Sequence, residues 1–410
     1  MCIRDSIEVD ALGHEKRTIS VDKPRAGHDL YLTIDFDLQQ LAENLLGEEA
    51  GAIIALDPKT GETLALASRP SFDPNTLSRA LSSEEWLAIL KDKRHPLTNR
   101  AIQGLYPPGS TFKIVMAAAA LETNGIDMTD TIQCKGRFRF GNRTFRDWKA
   151  SGHGSMDLHN AMTHSCDVYF YKMGNRLGIE TIARYATLFG LGEKTGIDLP
   201  SEQSGIVPSA EWKERTREEP WYPGETISVA IGQGYVTVTP IQMAKIIATI
   251  GNNGIAHQPH LVRGIRRRNT GETETLPPSK PISLGLQPNF VKAIQDSLAS
   301  VVSNGTARRA NSPLVTIAGK TGTSQVIALR SDKEKETPKE FRDHAWFVSY
   351  APFENPQIAV AVLAEHSGHG GSAAAPLARQ LIEAFIKKTG NKIQISDLPD
   401  LRKNGMRRIS

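Results

Sequence analysis

The strand-forming segments of this chain lie at its two ends, and that separation most constrains its fold. GAIIALDPKTGETLALAS, residues 51 to 68, reads as two apolar strands joined by the turn Asp57-Pro58-Lys59-Thr60-Gly61. Comparable runs return far downstream: VTIAGKTGTSQV, then AWFVSYA, the turn PFENP, and QIAVAVLAE. Between them, residues from about 80 to 250 read as mostly helical, punctuated by Gly and Pro. The two ends must therefore share one sheet. The expected fold class is α+β, a mainly antiparallel sheet flanked by helices, with a helical subdomain. Asp35 is the expected N-cap of DLQQLAENLL, and APLARQLIEAFIKK closes the domain, with a polar loop at 330 to 344. Residues 1–28, containing IEVD and RTISVD, read as small strands of a preceding module. Residues 29–388 form the main domain and 389–410 a tail.

The net charge of +4 over 410 residues is too mild to argue for nucleic acid. Two basic clusters, Arg266-Arg267-Arg268 and Arg402-Lys403 with Arg407-Arg408, read as a loop and a tail. No apolar run reaches the roughly 20 residues that span a bilayer. The opening MCIRDS leads into nothing recognisable and is read as a truncated end. Three cysteines (Cys2, Cys134 and Cys166) are too few for a disulfide scaffold.

Lys-Thr-Gly occurs four times. Lys59-Thr60-Gly61 belongs to a hairpin turn, Lys194-Thr195-Gly196 to a loop, and Lys388-Thr389-Gly390 to a helix end with Gly390 as C-cap. Only Lys320-Thr321-Gly322, followed by Thr323, lies on a late strand of small and β-branched residues. Such a strand can approach a ligand and present a lysine charge, hydroxyls and a backbone N–H. Ser-x-x-Lys occurs at Ser20–Lys23, in a polar stretch, and at Ser110–Lys113, opening the apolar helix STFKIVMAAAALE. On a helix, positions i and i+3 share a face, so Lys113 can reach the Ser110 hydroxyl. Ser165-Cys166-Asp167 supplies a Ser-x-Asp 55 residues after Ser110 and 155 before Lys320. In that order the three motifs match the trio of penicillin-binding proteins and class A β-lactamases, with Asp where Asn is usual.

With the longer segments YLTIDFDLQQLAE, NRAIQGLYPPGSTFK, RDWKASGHG, GIDLPSEQSG, PWYPGETISVAIGQG and AIGQGYVTVTPIQMA, the chain resembles the transpeptidase domain of class B penicillin-binding proteins. Within that class it is most similar to the cell-elongation group, penicillin-binding protein 2. The resemblance implies a penicillin-binding/β-lactamase-like transpeptidase fold. It implies that Ser110 attacks the D-Ala-D-Ala bond of a peptidoglycan stem peptide, with Lys113 as base, its pKa lowered by Lys320 and burial, and Ser165 as proton relay. Lys320, Thr321 and Thr323 would receive the terminal carboxylate, with Gly322 keeping the strand open. Amides of Ser110 and Thr323 would form the oxyanion hole. Asp167, assigned to substrate binding, departs from the wider family and would instead hold Lys113 or order its loop. β-Lactams would acylate the same serine. The resemblance further implies a membrane anchor preceding this segment, a periplasmic catalytic domain, and a polytopic glycan polymerase and an elongation scaffold as partners.

No cofactor is expected for catalysis. Cys134, Asp147, His153 and Cys166 make a sufficient tetrahedral set for structural zinc, in a region where some members of this group bind that metal. A Cys134–Cys166 disulfide and two unrelated buried thiols are the competing readings. Two rival functions are a hydrolase of the same fold and a β-lactam-sensing receptor. No Glu-x-x-Leu-Asn segment lies between the second and third motifs, which speaks against a class A β-lactamase.

Overall fold

The computed structural model describes residues 4–22, 26–79, 81–326 and 338–396. They divide into two compact units, one of residues 1–33 with 261–277, the other of residues 34–260 with 278–410. In the smaller unit Arg4–Val9 and Glu15–Asp22 pair as an antiparallel hairpin. A separate three-stranded sheet joins Asp29–Leu32 to Val262–Arg266 and Thr273–Thr275. Two expectations are corrected here. Asp29–Leu32 groups with this unit rather than with the main domain. Arg266 ends a strand instead of lying in a loop, and only Arg267 and Arg268 fall in the turn.

The larger unit holds a five-stranded sheet of β1 (Gly51–Leu56), β2 (Thr63–Arg69), β3 (Ala318–Ser324), β4 (His344–Ala351) and β5 (Ile358–Ala364). Its order is β3-β4-β5-β1-β2, every pair antiparallel, so the chain ends meet where β5 pairs with β1. Both strands are buried at every residue, which is why GAIIAL and IAVAVLA are continuously apolar rather than alternating.

Helices cover both faces. The first layer is α1 (Phe36–Leu46), capped by Asp35, which accepts from the amides of Asp37 and Leu38. Beside it lies the long C-terminal helix, whose Leu381 and Ile382 pack with Leu38, Ile53, Phe347 and Val360. The other face carries the apolar helix at Pro240–Gly251. Three helices position the site: α2 (Lys113–Glu122), α3 (Asp167–Leu188) and α4 (Pro288–Ser303).

The C-terminal helix, α5, runs Gly370–Ser396. It passes through Gly390, so that glycine is not a C-cap. Lys388 of the fourth Lys-Thr-Gly bonds Asp35 Oδ1 and Asp37 Oδ2, each at 2.6 Å. The first copy is the expected turn, with Gly61 at φ 79°. In the second, the buried Glu202 carboxylate gathers the amides of Thr195 and Gly196. The helical stretch also contains four short strands, Ile132–Cys134, Arg137–Phe140, Arg143–Arg146 and Gly154–Met156. Three or four residues rich in Arg and Gly carry too little periodicity to betray a strand. Most of the polar loop at 330 to 344 lies outside the described residues.

Candidate active site

Ser110 sits in a 3-10 turn, Gly109–Phe112, that leads into α2; the α-helix itself starts at Lys113. Gly109 holds φ 53°, and a Cβ there would stand 2.5 Å from the Thr323 carbonyl oxygen. The turn is thus seated directly on β3. Gly322 makes room for the same contact, since its missing Cβ would approach the Pro108 oxygen to 2.8 Å. Gln233 Nε2 donates to the Thr323 carbonyl at 3.2 Å, and Gly232 O accepts from the Gly109 amide at 2.9 Å. Thr321 is buried and Thr323 half-buried on the same strand.

The second motif is made by a helix exit. Ser165 follows Leu158–Thr163 with φ 55°, a left-handed conformation that costs a non-glycine residue about 1 kcal/mol or more. The Cys166 amide then bonds Ala161 O at 2.9 Å, and Asp167 becomes the first residue of α3. A carboxylate is favoured there by the helix dipole.

Lys113, buried in full, brings the motifs together. Its Nζ donates to Ser165 O at 2.9 Å, Ser165 Oγ at 3.2 Å and Asp167 Oδ1 at 2.6 Å. These hydrogen bonds turn Nζ toward Ser165 and Asp167 rather than toward the Ser110 hydroxyl. The other Asp167 oxygen accepts from the Trp148 amide at 3.1 Å. Both oxygens are engaged inside the protein, so Asp167 holds Lys113 and orders a loop. The Trp148 indole N–H reaches His164 O and Ser165 O, both at 3.2 Å.

Lys320 is also wholly buried, and the hydrogen bond its Nζ makes is to its neighbour's carbonyl, Thr321 O, at 3.3 Å. Burial, then the charge of Lys113, push Lys320 well below the ordinary lysine range, with Asp167 opposing. A buried amine without a carboxylate partner can receive an anion.

Beneath the second motif, Cys134, Asp147, His153 and Cys166 place one donor atom each within 4.8 Å of one another. Cys134 and Gly154 pair across a two-stranded ladder, which brings His153 beside Cys134. Both thiols are free and buried, so the disulfide reading is not realised. Cys134 Sγ and Cys166 Sγ stand 3.5 and 3.4 Å from Asp147 Oδ2, and His153 Nδ1 stands 3.4 Å from Asp147 Oδ1. Tetrahedral zinc, with Zn–S of about 2.3 Å and Zn–N or Zn–O of about 2.0–2.1 Å, spaces its ligands by roughly 3.3–3.8 Å. The donor set fits that metal. Burial opposes ionisation of Asp147, yet bonds from His153 and from the amides of Val168 and Lys149 hold it well below the carboxylate range. Burial and Asp147 together push the Cys166 thiol upward.

Trp148 and Gln233 lie inside segments whose resemblance was legible, but no spacing rule marks them. Their roles depend on bonds to the backbones of Ser165 and Thr323, which sequence does not display.

A nucleophile-bearing turn, two buried lysines and a strand edge define a serine acyl-transfer centre on an α+β scaffold. Residues 51–383 match the penicillin binding protein transpeptidase domain, and the chain belongs to that family. It is 41% identical over 387 residues to the peptidoglycan D,D-transpeptidase MrdA of Acinetobacter baumannii, covering 93% of this chain and 57% of that protein. The fold superposes on crystalline Pseudomonas aeruginosa PBP2 in complex with WCK 5153 with a TM-score of 0.78 at 38% identity, over 88% of this chain and 79% of that one. Helicobacter pylori PBP2, solved in complex with MreC, gives a TM-score of 0.79 at 33% identity, over 94% and 69%. The chain thus spans a little over half the length of the Acinetobacter relative. No described helix is long and apolar enough to cross a membrane.

Proposed function

We propose that this chain carries the acyl-transfer centre of a peptidoglycan D,D-transpeptidase of the cell-elongation type. One observation carries the reading: Lys113 Nζ binds Ser165 Oγ and Asp167 at the foot of the turn that presents Ser110 against Thr323. Ser110 Oγ attacks the carbonyl between the two terminal D-Ala residues of a stem peptide, and its proton passes to the Lys113–Ser165 pair. The amides of Ser110 and Thr323 stabilise the oxyanion. The C–N bond then breaks, Ser165 hands a proton to the departing D-Ala amine, and an ester to Ser110 remains. The amine of a second strand displaces Ser110, restoring its hydroxyl. Lys320 meets the substrate carboxylate with Thr321 and Thr323, which supplies the anion its buried amine lacks. A β-lactam forms the same ester and stays.

The four donors Cys134, Asp147, His153 and Cys166 would hold a structural zinc, which would supply no chemistry at the ester. Asp147 Oδ2 also accepts the Val168 amide at 3.0 Å, so fixing these groups fixes the Ser165–Asp167 segment. The domain works on the periplasmic side of the inner membrane, with a glycan polymerase and an MreC-like scaffold as partners; the scaffold is supported by the Helicobacter complex.

The deciding experiment is incubation with fluorescent penicillin, followed for hours, together with donor and acceptor stem peptides. Long-lived labelling at Ser110 and formation of the cross-linked peptide support the reading. Release of the label within seconds makes the protein a hydrolase, and labelling without any cross-linked product leaves the receptor reading in its place.

A further inference from the structure

Thr306 belongs to none of the motifs, yet its hydroxyl lies 2.6 Å from that of Thr321, the buried threonine of Lys320-Thr321-Gly322. It follows α4, just before a short turn at Arg308–Ala310. The Thr306 amide donates to Thr163 O at 3.4 Å, two residues before Ser165. Gly305 packs so tightly on that carbonyl that a Cβ would stand 2.2 Å away. From the other side Gly371, at the start of α5, closes on Thr306 O, where a Cβ would stand at 2.3 Å. Backbone contacts therefore hold Thr306 between the second motif and α5, and its side chain is left to meet the third motif.

Two hydroxyls at this separation share one proton, in one of two directions. If Thr321 donates to Thr306, its only proton is spent and an incoming anion finds oxygen lone pairs. If Thr306 donates to Thr321, the Thr321 O–H is free to point at that anion, and accepting a bond makes it the stronger donor. Lys320, alongside, has no carboxylate partner of its own. We propose that Thr306 is a positioning residue whose hydroxyl holds Thr321 as a donor toward the terminal carboxylate of the acyl donor. The inference rests on the acyl-transfer reading above and adds to it a residue that fixes the direction of one proton.

The test compares Thr306→Val, which keeps the shape and removes the O–H, with Thr306→Ser, which keeps the O–H. Acylation by fluorescent penicillin is resolved into Kd and an acylation rate constant, beside the methyl ester of the same penicillin, which lacks the carboxylate charge. Thr306→Val is expected to raise Kd for the acid about fivefold, the net size of the one neutral hydrogen bond that holds Thr321 in place, and to leave Kd for the ester unchanged. Thr306→Ser restores the parent value. Equal losses for acid and ester, no loss at all, or no rescue by serine would each overturn the inference. Thr306→Ala serves as a second hydroxyl-free variant should valine disturb folding. If the parent protein is not labelled at Ser110, the acyl-transfer reading falls and this inference with it. If the parent is labelled and Thr306→Val matches it, only the role of Thr306 falls.

Discussion

Lys113 Nζ lies 2.6 Å from Asp167 Oδ1, a wholly buried amine against a carboxylate in the first turn of a helix. Two buried amines and one carboxylate share the site, and the carboxylate is bonded to Lys113. Lys320 is left with the burial and the repulsion, which favours its neutral form until an anion arrives.

Replacing Asp167 by Asn should show how much that pairing matters. The amide is uncharged, so Lys113 stays buried without an anion, at a cost of about 3 kcal/mol. With the carboxylate charge gone the site disfavours positive charge, and the rising limb of penicillin acylation against pH should move toward lower pH. Denaturant melts and acylation rates across pH check both; an unshifted limb would mean that neither amine acts as the base.

Lys320→Met should abolish efficient acylation while stabilising the fold at neutral pH. A lysine depressed in the folded state binds fewer protons there than in the unfolded chain. Parent stability therefore rises with pH, is fully present above about 10.5, and is lost as pH falls through the folded value. Methionine lacks this dependence, so its advantage over the parent should shrink as pH climbs toward the ordinary lysine range. Melting temperatures measured between pH 7 and pH 10 (on the order of one unit apart) decide it.

Ser110→Ala should eliminate covalent penicillin labelling with the melting curve unchanged. Lys388→Ala should leave labelling at the parent rate, because that lysine ties α5 to the start of α1, remote in role from the serine. Its partly exposed bridges should contribute less than about 1 kcal/mol. Gel fluorescence and a denaturant titration suffice, and slowed labelling in Lys388→Ala would contradict the assignment of its Lys-Thr-Gly to structure.

Protein purified without chelator should carry about one zinc per chain. Stripping it, or Cys166→Ser, should lower the melting temperature and slow acylation together, since Cys166 stands between Ser165 and Asp167. Metal analysis that finds none, in a preparation with both thiols titratable, would leave Cys134 and Cys166 as ordinary buried thiols.

His344 is held down to about 4 by burial and, secondarily, by His366. Its stabilising effect is present above the unfolded value near 6.5 and is lost as pH falls through the folded one. Parent protein should therefore lose stability between those two pH values more steeply than His344→Gln, as thermal melts would record.

By itself the sequence determined the strands of the five-stranded sheet, their need to share it, the cap at Asp35 and the order of the three motifs. Each is local: an apolar run, a capping side chain or a fixed spacing survives in one dimension. Tertiary structure alone decided which groups meet. That Lys113 bonds to Asp167 while Lys320 goes without, that Gln233 and Thr306 address β3, and that Asp29–Leu32 pairs with Val262–Arg266 all depend on residues from 15 to more than 200 positions apart. Burial and proximity set proton affinity and hydrogen-bond direction, and neither quantity is written in the neighbours along the chain.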